Sequence, residues 1–75
     1  MLIQNSSPNS IFYGISNPGS ADCGTIDANN TQDAGYNNQS NVSVVISPLG
    51  GSSTFPITIP ETGTGMVITV GLYFG

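Results

Sequence analysis

Apolar residues recur along this chain at every second position, the spacing that puts side chains on one side of an extended strand rather than along a helix. Ile11, Tyr13 and Ile15 alternate with Phe12, Gly14 and Ser16 and run into Asn17-Pro18-Gly19, where Pro presets φ and Gly accepts a turn. Val42, Val44 and Ile46 alternate with Ser43, Val45 and Ser47, and Gly50-Gly51 leads to a second run, Phe55, Ile57 and Ile59. These two runs read as the arms of a hairpin. Pro56 and Pro60 cannot donate to a ladder, so the second arm is predicted at a sheet edge. After Glu61-Thr62-Gly63-Thr64-Gly65 comes the longest alternation, Met66, Ile68, Val70, Leu72 and Phe74, with Val67, Thr69, Gly71 and Tyr73 opposite. It reads as a central strand.

Shorter strands are expected at 2–5 and 23–26, which makes five or six in all. The pattern predicts a single all-β domain over 1–75, a small antiparallel β-sandwich or partly closed β-barrel. Between Asp27 and Asn41 the sequence is polar and Asn-rich, longer than most connections in a compact domain, and it reads as a surface loop.

Composition changes this picture in two ways. The 75 residues include four acidic side chains and no Lys, Arg, His or Trp, giving a net charge of -4. A chain without side-chain cations has nothing to neutralise phosphates, which excludes sequence-independent nucleic-acid binding and polybasic membrane docking. The apolar stretch 66–74 is far shorter than a spanning helix requires. Disorder is also rejected, because 37% hydrophobic residues and so little net charge do not describe an unfolded polymer.

The second change concerns support for the core. A domain of 7.7 kDa buries only about 60% of the surface of its unfolded chain. The single cysteine, Cys23, provides no intrachain disulfide, and there is no Cys or His cluster for zinc. Oligomerisation is the remaining common support, so the expected partner is a second copy of the chain, a larger protein lattice, or both. The start, Met1-Leu2-Ile3-Gln4-Asn5, has neither a basic region nor a long apolar run. With Met1 native, the chain is made without a signal peptide and is expected to act in a virion or an extracellular assembly.

Candidate chemistry is sparse. Cys23 has no His or other side-chain cation to activate it and reads as a small buried hydrophobe. The serines lack a base, and the carboxylates Asp22, Asp27, Asp33 and Glu61 show no spacing that gives a pair separate roles. No catalytic residue and no cofactor is therefore expected. Asp27, Asn29, Thr31 and Asp33 put oxygen ligands at alternate positions, as calcium loops do. Gln32 and Asn38 replace the glycine and the bidentate glutamate of an EF-hand, which leaves at most a weak calcium site. Tyr36 is the one tyrosine outside the alternating strands, a platform for a neutral carbohydrate in the alternative reading of the chain as a lectin-like module. Sequons at Asn5, Asn29, Asn38 and Asn41 are attributed to composition.

Ile59-Pro60-Glu61-Thr62-Gly63 resembles the sorting pentapeptide of sortase-anchored bacterial surface proteins, whose fourth residue is joined to the cell wall. That family's pattern continues into a longer apolar span and a basic tail, whereas no cation follows Gly63. A strand, a turn and another strand explain the segment, and no role passes to Thr62. The expectation from all of this is a non-enzymatic assembly subunit: a virus (phage) capsid cement or decoration protein, or an extracellular filament subunit. Its assembly edges would involve Leu2, Ile3, Phe55, Ile57, Leu72 and Phe74.

Overall fold

The alternating runs become strands β2 (Ile11–Asn17), β5 (Ser40–Pro48), β6 (Phe55–Glu61) and β7 (Val67–Val70), with β1 (Leu2–Asn5), β3 (Ser20–Ile26) and β4 (Thr31–Asp33) completing seven. These assignments come from a computed structural model, which describes residues 1–51 and 53–71. Among the described residues the regular structure is all strand. The extra strand beyond the expected five or six is β4, which forms inside the Asn-rich stretch read as a loop.

One sheet has the order β3-β2-β5-β6 and is antiparallel throughout. Its register sets Tyr13 opposite Gly24 and Ile46, and Ile15 opposite Val44. The proline-bearing β6 occupies its edge, where Asn41 and Pro60 face each other without pairing. The other sheet has the order β4-β1-β7. Here two expectations are corrected. β1 runs parallel to β7, from Leu2 opposite Val67 to Asn5 opposite Val70, so the fold is not wholly antiparallel. β7 lies at an edge rather than in the centre, because among the described residues its only partner is β1. A parallel pair needs a long crossover connection, and the whole four-stranded sheet supplies it.

Both sheets contribute to one core. Ile3 and Val70 come from the three-stranded sheet, while Ile11, Tyr13, Ile15, Ile26, Val42, Val44 and Ile46 come from the four-stranded one. Met1 and Ala34 complete the cluster, and Ile57, Ile59 and Ile68 pack against it half-buried. Gly24 leaves room for Tyr13, since a Cβ there would stand 3.0 Å from the Tyr13 ring and hydroxyl and the ring would have to give way. Asn5 is fully buried and joins three segments. Its Nδ2 donates to the carbonyls of Asn9, Ile26 and Asp27 at 2.9, 3.0 and 3.2 Å, and its Oδ1 accepts the Ser7 N–H at 2.9 Å. The Asn5 sequon is thus incompatible with glycosylation of the folded chain. The accessible surface is 4321 Å², matching the roughly 4,300 Å² that scaling assigns to a compact monomer of this mass.

Candidate functional site

Two features of the surface stand apart from ordinary loop and strand exposure. The first is a concavity of about 380 Å³ between the β2–β3 hairpin and the segment that links β4 to β5. Asn17, Ser20, Asp22, Tyr36 and Gln39 line it. Positive φ is adopted by Asn29 (62°), Asn38 (55°) and Asn41 (55°), a conformation Asn tolerates because its short polar side chain bonds locally. Tyr36 adopts it as well, with φ 57°, and for a bulky residue that is an outlier.

The surroundings of Tyr36 account for its persistence. The buried Thr62 hydroxyl donates to the Tyr36 carbonyl and accepts the Gln39 N–H at 2.9 Å, while the Thr62 N–H donates to the Gln39 carbonyl at 2.8 Å. On the other side Asp33 Oδ1 accepts the Gly35 N–H at 3.0 Å, and the Met1 amino group donates to the Gly35 carbonyl at 2.9 Å and to Asn37 Oδ1. The Ser20 hydroxyl donates to the Tyr36 hydroxyl at 3.1 Å, which ties the ring to the start of β3. The Asn17 amide donates to Gln39 Oε1 at 3.1 Å, so the Gln39 NH₂ group remains a donor for other partners. Asp22 Oδ1 accepts the Cys23 N–H at 2.8 Å.

The second feature is the outer face of the four-stranded sheet. Register places Thr25, Phe12 and Ser47 in one row, Cys23, Gly14, Val45 and Pro56 in the next, and Ala21, Ser16, Ser43 and Thr58 in a third. All eleven are uncharged. Phe12 and Val45 are each 38% exposed there, and a Cβ on Gly14 would meet nothing within 4 Å. Asp22 points to the opposite side of β3 by alternation, Asp27 follows that strand, and Asp33 and Glu61 end β4 and β6. None of these rows holds a carboxylate, and Asp27, which accepts the Ser10 hydroxyl, stands beyond the end of the row of Thr25, Phe12 and Ser47.

The expected site residues are distributed differently from the sequence reading. Cys23 is exposed, not buried, because it sits on the outer side of an edge strand. Leu2 and Ile3 lie on β1, which is paired on both sides, so they present no open edge. Phe55 and Ile57 do lie on an edge strand, and Leu72 and Phe74 fall outside the described residues. Of the calcium candidates, Asp27 and Thr31 line one depression of about 270 Å³. Asp27 accepts the Ser10 hydroxyl at 3.1 Å, Asn29 is on an exposed turn, and Asp33 is engaged with Gly35 at the far end of β4. Among the described residues no three His, Cys, Asp or Glu side chains are close enough to share a metal ion.

Tyr36 is thus separated from Asp27 and Asn29 and joined instead to Asp22 and Gln39, which sequence reasoning did not connect with it. Phe12 and Val45 were legible in principle, as apolar residues of the wrong parity in strands whose other parity fills the core. No family model, curated protein or solved structure matches the chain.

Proposed function

We propose that the chain is a non-enzymatic assembly subunit that works by laying the outer face of its four-stranded sheet against another protein surface. The observation that carries this reading is the pair Phe12 and Val45, apolar side chains each 38% exposed on that face, with no charged side chain among the eleven positions of its three rows. Depletion of charge with apolar residues at the centre distinguishes the middle of a protein interface from ordinary surface. The architecture we propose for the unit is a small sandwich, its two sheets facing each other across the shared core. In its most concrete form it is a capsid cement or decoration protein, for which one flat docking face on a protein lattice is enough. A filament subunit needs a second surface, and the open edge of β3 is the place for one: seven residues with no proline and a single charge, Asp22.

The test is the native mass of the purified chain, alone and as a Val45→Glu variant. Val45 points away from the core, so the variant should keep its β circular dichroism while losing self-association or lattice binding by about tenfold or more. A wild-type chain that remains monomeric and binds no lattice, or a variant that associates as the wild type does, would defeat the proposal.

A further inference from the structure

The concavity beside Tyr36 is independent of the charge-free face, and its chemistry points elsewhere. Its volume of about 380 Å³ is at the small end of ligand pockets, which suits one ring-sized molecule. No cation lines it, and its one charged side chain is the Asp22 carboxylate, which disfavours an anionic ligand. A metal ion would find one carboxylate and neutral groups. What the lining offers is a carboxylate that accepts strongly, a Gln39 NH₂ that donates, a Ser20 hydroxyl that accepts, and an aromatic ring.

That set matches a molecule carrying neighbouring hydroxyl groups on one side and C–H groups on another. Vicinal hydroxyls donate to a carboxylate and accept from an amide, and the negative face of an aromatic ring attracts C–H edges. The backbone of Tyr36 provides a second line of argument. A bulky residue held at positive φ is strained, and such strain persists where the surroundings over-determine the conformation, commonly at ligand sites. Here Thr62, which is 2% exposed, fixes both ends of the Tyr36–Gln39 turn from a different strand connection. Tyr36 and Gln39, two of the residues that would meet the ligand, are therefore positioned as a pair.

From this geometry we infer that Tyr36, Asp22 and Gln39 form a shallow binding site for a neutral sugar ring. Asp22 and Gln39 bond adjacent hydroxyls and Tyr36 supports the ring.

The experiment is NMR titration of the isotope-labelled chain with the methyl glycosides of glucose, galactose, mannose and N-acetylglucosamine at millimolar concentration, with tetramethylammonium as a cationic control. At least one glycoside should shift the resonances of Ser20, Asp22, Tyr36 and Gln39 and leave those of Phe12 and Val45 in place. Asp22→Asn and Gln39→Ala alter side chains at the rim rather than in the core, and each should weaken that glycoside by about tenfold while preserving the spectrum of the fold. Tyr36→Ala should abolish binding, and Tyr36→Phe should retain most of it. Absence of shifts with all four glycosides, shifts that map away from these residues, or indifference to Asp22→Asn would overturn the inference. So would tetramethylammonium binding where no glycoside does, which would assign the site to amines.

Discussion

Burial against the backbone of β3 keeps the Tyr13 hydroxyl protonated above its ordinary value of 10.0, and the nearby Asp22 and Cys23 push in the same direction. The unfolded chain releases that proton first. Stability from this residue is therefore complete below about pH 10 and is lost as pH rises through the folded value, because the unfolded state binds fewer protons there. Thermal melts from about pH 9 to about pH 11 should show a decline that is reduced in Tyr13→Phe. Equal slopes in the two chains would remove Tyr13 as the cause. Tyr13 also marks what single residues disclosed in the sequence: its parity with Ile11 and Ile15 placed it in the core. Cys23 disclosed less, because a small apolar residue serves equally well on either side of an edge strand. Positive φ at Tyr36 was hidden altogether, since nothing in the residue type favours it.

At the scale of elements, parity and turn chemistry made β2, β5 and β6 readable, and the prolines put β6 at its edge. β4 was unreadable because Thr31, Gln32 and Asp33 are all exposed and carry no apolar alternation. It is a strand only because β1 pairs with it, Leu2 opposite Asp33 and Gln4 opposite Thr31. The parallel pairing of β1 with β7 was likewise beyond local pattern, since each strand alone is compatible with either direction. Asn5 holds this non-local arrangement at the end of β1. Asn5→Ala removes the donor shared by three carbonyls in a site without solvent, and should cost about 3 kcal/mol. Urea unfolding should show a lower midpoint with an unchanged slope. A loss under about 1 kcal/mol would show that those carbonyls find other donors.

For the whole molecule, the distribution of charge distinguishes the proposed docking through the sheet face from an interface held by ion pairs. Each copy carries a net charge of -4, has no side-chain cation, and is at most 34 Å across in its Cα trace. At about 0.01 M salt the screening length is about 30 Å, so the carboxylates of two docked copies repel one another over most of the particle. At about 1 M it falls to about 3 Å and the repulsion disappears. The charge-free face has no ion pairs to lose, and its apolar contacts are not weakened by screening. Self-association through Phe12, Val45 and Pro56 should therefore strengthen with ionic strength, whereas an interface held by ion pairs weakens. Sedimentation velocity across the salt series reads the outcome directly: larger species in high salt fit docking through the sheet face, and dissociation by salt would be inconsistent with it.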